Sequence, residues 1–244
     1  MDFLNRIIEK SADLSSFQVP TAVFLGDSVT QGCFELTRNK DKNIDTVYEQ
    51  ESAYHSLLKK RFPEIFPNVP LNFINSGISG NTAVQGLERL ERDVLAYSPH
   101  LVIICFGLND VSGGMDKITD FSQTLNSIFR KLISHGIEVI FMTPNMMNTY
   151  VSQLIVDKEI IEIAKGSADL QNNEILDAYI DTARKVCEEN KVPVCECYFK
   201  WKQMYEAGVD ITVLLSNYIN HPSRKMHEMF AHDLFEMIMF QRRD

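Results

Sequence analysis

The stretch VFLGDSVTQG, residues 23–32, passes from an apolar run into an acidic residue, a serine and a second glycine. Val23 to Leu25 suit a buried strand, and Gly26 and Gly32 bracket the polar turn that carries Ser28. Glycine permits backbone angles and close approaches that a Cβ obstructs, so the chain can leave the strand abruptly there. A hydroxyl on such a turn is exposed at the carboxyl edge of a sheet, where open α/β folds hold their ligands. Ser28 serves equally well as the cap of a following helix, a position that favours serine.

Outward from this stretch, short apolar runs alternate with longer segments of helical spacing, the pattern of a parallel sheet covered on both faces. Strands are expected at 22–26, 71–75, 101–107, 138–143 and 192–197, each rich in Val, Ile, Phe or Leu. Helices are expected at 44–61, 83–96, 118–134 and 173–189, where apolar residues recur every three or four positions. In 118–134 the stripe is Phe121, Leu125, Ile128, Phe129 and Leu132, with Gly136 as a stop. The first fifteen residues have the charge pattern of an amphipathic helix rather than of a secretory signal. No linker or repeat divides the chain, so the expectation is an α/β protein with a five-stranded parallel sheet forming one domain over 1–244. Residues 33–43 and 144–156 show neither period and follow strand ends, which makes them candidate rims of a site.

Composition narrows the partners. Hydrophobic residues make up 45% of the chain and charged residues 23%, as in ordinary globular proteins. Asp and Glu number 33 against 24 Lys and Arg, and a net charge of -9 repels polyanions, so nucleic acid is not an expected partner. Lys59-Lys60-Arg61 and Arg242-Arg243 read as solvated helix ends. No run of apolar residues is long enough for a membrane span, and the expected location is cytoplasmic. Five cysteines in apolar settings such as LVIICFG, residues 101–107, argue against a disulfide framework. Cys195 and Cys197 share a face of an expected strand, but a zinc site needs further ligands, so no metal is expected.

Two more strand ends carry chemistry. NSGISGNT, residues 75–82, offers glycines whose turn exposes backbone N–H groups, and FGLND, residues 106–110, offers the Asn109 carboxamide. With Ser28 as nucleophile, the N–H groups of Ser28 and Gly80 and the Asn109 side chain would supply three donors to an oxyanion. Taken singly, Gly80 is also a turn glycine and Asn109 a loop cap. The base comes from LLSNYINHPSRKMHEMF, residues 214–230, where His221 precedes Pro222 and a late helix. Alone, His221 reads as a surface loop residue. His55, His100 and His135 fall within helices or at the amino ends of strands. His227 and His232 in HEMFAH stand five apart, about 140° around a helix, so they cannot share a metal and read as solvated. No Lys follows Gly32, which removes a phosphate-binding P-loop.

The blocks GDSVTQG, ISGNT, GLND and NHP, in that order, resemble the SGNH subgroup of the GDSL hydrolases. The resemblance implies a flavodoxin-like three-layer α/β/α fold and hydrolysis of carboxylic esters or thioesters without metal or organic cofactor. It also implies Ser28 as nucleophile, Gly80 and Asn109 in the oxyanion hole and His221 as base. One departure stands out. The family places an aspartate three residues before the histidine, where this chain has Tyr218. Asn217 is the candidate orienting residue in its stead, with Asp210, a backbone carbonyl or water as alternatives. The polar segment 33–43 beside Ser28 favours a hydrophilic leaving group, and hence a small acyl ester, acetyl in the first place, of a polar substrate such as a carbohydrate. A lipase, lysophospholipase or acyl thioesterase is the alternative, with Met146, Met147, Tyr150, Val151 and Leu154 lining an acyl pocket. A catalytically weak binding protein on a hydrolase fold is the alternative of another class.

Overall fold

A computed structural model describes residues 2–240; Arg242-Arg243 lie outside the described residues. Five parallel strands form the central sheet: β1 (Thr21–Gly26), β4 (Asn72–Gly77), β5 (Leu101–Cys105), β6 (Glu138–Met142) and β7 (Val194–Cys195). Their spatial order is β4-β1-β5-β6-β7. Counting only these strands in chain order, that is 2-1-3-4-5, the flavodoxin-like winding. The chain steps to one side of β1 for β4 and then crosses to the other side for β5. Such a reversal opens a crevice beyond the carboxyl ends of β1 and β5.

Helices cover both faces. On one, α3 (Tyr54–Ile65) and α1 (Asp2–Ala12) pack against α10 (Arg224–Phe240). On the other, α6 (Ile118–Ser134) packs against α4 (Ala83–Glu88) and α8 (Ile175–Asn190), and α8 against α7 (Lys158–Asn172). The short helices α2 (Ser28–Gln31), α5 (Leu90–Asp93) and α9 (Cys197–Glu206) complete the frame. Burial explains the near-continuous apolar runs: every residue of β1, β5 and β6 is buried, as strands sandwiched between helices require. The α6 stripe of Phe121, Leu125, Ile128, Phe129 and Leu132 is buried as its spacing predicts. No helix among the described residues is long and apolar enough to cross a membrane.

Four expectations change. The helix expected at 83–96 is broken into α4, α5 and a 3-10 turn at Leu95–Tyr97, with Val94 leaving the helical conformation at φ -128. Residues 44–61 are not one helix: Ile44–Tyr48 forms β3, which pairs antiparallel with β2 (Cys33–Arg38), and α3 begins only at Tyr54. The β-branched Ile44, Thr46 and Val47 and the polar tip, where Asn39 Oδ1 accepts from Asp41 and Asn43 N–H at 3.0 Å each, make a hairpin. Residues 158–172, unassigned from the sequence, form α7, whose cap Asp157 accepts from the N–H groups of Glu159 and Ile160. Finally, the last strand shrinks to Val194–Cys195 because Cys197 opens α9.

Candidate active site

Ser28 is the first residue of α2, immediately beyond β1. Asp27, not Ser28, is the cap: its Oδ1 accepts from Val29 N–H at 2.9 Å, which leaves the serine hydroxyl for other partners. That hydroxyl lies 3.0 Å from His221 Nε2. The other imidazole nitrogen, Nδ1, lies 2.8 Å from the Phe34 carbonyl oxygen. A carbonyl can only accept, so Nδ1 carries the proton and Nε2 is the acceptor that faces Ser28. Both residues are buried, at 4% and 6% exposure. Burial pulls the His221 pKa below the usual 6.5, opposed by the Phe34 hydrogen bond and by the charge of Glu35. A hydroxyl so placed can pass its proton to a neutral imidazole as it attacks a carbonyl.

Asn217 does not orient the imidazole. Its Oδ1 accepts from the N–H groups of Ile219, Asn220 and His221 at 2.9 to 3.0 Å, so it shapes the turn that presents His221. An asparagine oxygen that gathers successive backbone donors is an Asx-type turn, and it has no geometry left for Nδ1. Asp210 is elsewhere too, accepting from the Tyr150 hydroxyl at 2.7 Å and from Thr212 N–H. The acceptor is a backbone carbonyl of the β2–β3 hairpin, a group no side-chain motif can announce. Further bonds close the histidine loop: Ser216 N–H donates to the His221 carbonyl, Asn148 N–H to Ile219 and the Asn145 amide to Asn220.

On the opposite side, the loop after β4 reaches the same cavity. Gly77 lets β4 press on α2, for a Cβ there would meet Gln31 N at 2.2 Å. Ser79 N–H donates to Gln31 Oε1 at 2.6 Å and Asn81 N–H to the Ile78 carbonyl, and Gly80 between them adopts φ +79, a left-handed conformation that suits glycine. The Asn109 amide nitrogen donates to the Asn81 carbonyl at 2.9 Å, which spends one of its two hydrogens. Arg89, buried, ties the scaffold: its guanidinium donates to the carbonyls of Gly26 and Ser76 and to the Asn81 side chain.

Ser28, Gly80, Asn109, Asn217 and His221 thus line one cavity of about 260 Å³. Its walls are Leu36, Ile44, Asp45, Thr46 and Tyr48 of the hairpin, Ile163 of α7 and Ile219. The hairpin and α7, both missed from the sequence, supply the apolar residues Leu36, Ile44, Tyr48 and Ile163 of this wall. Met146 and Met147 instead sit in the core. A larger cavity of about 500 Å³ lies between β7, α9 and α10, but its Lys200 and Asp233 are already paired.

Two carboxyls beside the site residues in the chain, Asp27 before Ser28 and Asp110 after Asn109, are buried. Asp27 is pushed up to about 7 by burial, against its bond from Val29 N–H and with help from the charge of Asp110. Asp110 is pushed up to about 6 by burial, although it accepts from Ala83 and Gly107 N–H. His227 corrects another expectation. It is fully buried rather than solvated, accepting from Tyr54 N–H at 3.1 Å and packing 5.0 Å from the Phe34 ring; His232 is exposed. The five cysteines are free and buried. No group of three or more His, Cys, Asp or Glu among the described residues is placed to hold a metal ion.

Fold and site define a class: a parallel α/β/α protein that presents a Ser–His pair at its switch point. The chain matches the GDSL-like Lipase/Acylhydrolase family over residues 24–229 and belongs to it. It is 27% identical over 131 residues to an acetylxylan esterase of Geobacillus stearothermophilus, an alignment covering 50% of this chain and 58% of that protein. It is 27% identical over 182 residues to the uncharacterized lipoprotein YqeF of Bacillus subtilis, covering 69% and 72%. The crystal structure of a catalytic mutant of an acetylxylan esterase from Geobacillus stearothermophilus superposes with a TM-score of 0.66 at 20% identity, covering 92% of this chain and 97% of that one. At that identity the superposition establishes the fold.

Proposed function

We propose that the protein is a serine ester hydrolase that removes a small acyl group, acetyl in the first place, from a polar substrate such as a carbohydrate. The observation that carries this reading is the 3.0 Å contact between His221 Nε2 and Ser28 Oγ with Nδ1 anchored on a carbonyl. Ser28 attacks the ester carbonyl as His221 takes its proton, and the N–H groups of Ser28 and Gly80 with the Asn109 amide receive the oxyanion. His221 then protonates the departing alcohol, and water repeats the cycle on the acyl-enzyme. No cofactor enters this scheme.

Cavity size favours a short acyl group, since about 260 Å³ is below the usual range of pockets that enclose whole ligands, about 300 to 1,000 Å³. Polar groups around the serine, Asp45, Thr46, Asn217 and Asn220, suit hydroxyls on the leaving group. The family match supports acyl ester hydrolysis, and similarity to an acetylxylan esterase supports the acetyl group and the carbohydrate. Turnover of 4-nitrophenyl acetate, 4-nitrophenyl octanoate and an acetylated xylooligosaccharide tests the reading. Acetyl esters should be cleaved in preference to octanoyl, and Ser28→Ala should lower kcat at least about 10³-fold. Full activity in Ser28→Ala rejects the serine, and preference for octanoyl rejects the short-acyl reading.

A further inference from the structure

The aspartate missing at Tyr218 leaves the imidazole dependent on one backbone carbonyl, and that carbonyl belongs to a hairpin outside the central sheet. Something must hold the hairpin in place to within a fraction of an ångström. The pairing of β2 with β3 slips between Cys33 and Leu36, so that Phe34 and Glu35 together face the single residue Val47. A bulge of this kind bends a strand and re-aims its groups, and here the carbonyl of a bulged residue is the one that meets His221.

Arg224 grips this bulge. It is the first residue of α10, three positions after His221. Its Nη1 and Nη2 donate to the two carboxylate oxygens of Glu35 at 2.6 and 3.1 Å, next to Phe34. Its Nε and Nη2 donate to the two oxygens of Glu49, just beyond β3, at 2.8 and 2.5 Å. The guanidinium also lies 4.4 Å from the centroid of the Phe34 ring. One side chain therefore binds both strands at the hairpin's base and stacks on the residue whose carbonyl matters, from the segment that carries His221.

We propose that Arg224 is a positioning residue that holds the Phe34 carbonyl against His221 Nδ1, in place of the absent aspartate. The proposal rests on the reading of Ser28 and His221 as nucleophile and base. The planar fork is what the task needs: five N–H donors in fixed directions can bind two carboxylates at once, whereas a lysine ammonium offers a point charge. The ion pairs are half-exposed, with side-chain exposures of 38% for Arg224 against 42% and 40% for its partners, so solvent screens them, although their bidentate geometry keeps some stabilising effect. Loss of the clamp should accordingly be felt chiefly in geometry, where an error of about 1 Å costs about 10²-fold in rate, and less in folding.

The test compares R224Q and R224K with the wild type, using 4-nitrophenyl acetate kinetics and the proton NMR signal of the His221 Nδ1–H in protein labelled with 15N-histidine. R224Q should lower kcat by about tenfold to a hundredfold with KM nearly unchanged and a near-wild-type melting temperature. It should also lose or broaden the Nδ1 proton signal by exchange with water. R224K, which keeps the charge without the fork, should recover part of kcat. Should R224Q fail to fold, the double variant E35Q/E49Q leaves α10 intact and should show the same loss. Wild-type kcat together with an undisturbed Nδ1 signal in whichever variant folds overturns the clamp. A wild type that hydrolyses no ester, but whose Nδ1 signal still vanishes in R224Q, overturns the esterase reading and leaves the clamp standing.

Discussion

The two halves of the site are built by different means. Ser28, Gly80 and Asn109 stand just beyond β1, β4 and β5, adjacent strands whose register fixes the spacing of their ends. His221 stands on a loop, and its place depends on an asparagine-gathered turn and a hairpin carbonyl. The first half inherits its geometry from the main-chain ladder of the fold. The second is assembled from side-chain and loop contacts that a single substitution can undo. Damage to the first half should therefore appear in transition-state binding, and damage to the second in the competence of the base.

Short of removing the nucleophile itself, removing the Asn109 donor has the largest expected effect. Asn109→Ala should lower kcat by about 10²–10³-fold, as the loss of one oxyanion donor does, with KM for 4-nitrophenyl acetate little changed. An unaltered kcat would detach Asn109 from the oxyanion and break the first half of the comparison.

The base half predicts a pH profile. His221 must be neutral to accept the proton, and burial lowers its pKa below 6.5. The acid limb of kcat/KM against pH should then have its midpoint under 6.5, and activity should be retained where an exposed histidine would already be charged. A midpoint above 6.5 would mean that the charged form is stabilised more strongly than the Phe34 carbonyl and the charge of Glu35 allow.

A smaller effect concerns stability. Asp27 has its folded pKa raised from 3.8 to about 7 by burial, so the stability tied to its neutral form is complete below pH 3.8 and is lost as pH rises towards 7. Asp27→Asn removes that ionisation. Measured by denaturant unfolding, the variant should gain on the wild type by roughly 1–3 kcal/mol between pH 4 and pH 8. A difference constant over this range would show that Asp27 ionises freely in the folded protein.

Legibility in the sequence follows the same division. The five strands could be read because buried parallel strands are continuous apolar runs, and β1, β5 and β6 are buried at every position, whereas their flavodoxin-like winding came only with the family resemblance. The residues at the strand ends were visible because their types and places are tied to the turns that follow. What was lost is what depends on contacts remote in sequence. Phe34 meets His221 across 187 positions through a main-chain atom, and a carbonyl has no residue type to look for. Asn217 was singled out as the residue that orients His221, but its oxygen serves the backbone of its own turn. The hairpin was hidden because Ile44–Tyr48 runs close to the helical pattern of α3, so two periods merged into one. The β-branched run and the Asn-rich tip were the available signal. His227, spaced as if solvated, is buried because α10 packs against α3.

The central claim is that Ser28 is a nucleophile because His221 Nε2 is its base. Reaction with a fluorophosphonate probe, followed by peptide mass spectrometry, tests this most directly. The wild type should gain one phosphonyl adduct, on Ser28, and His221→Ala should label far more slowly. An unlabelled Ser28 in folded wild-type protein, or equal labelling in the two, would contradict it.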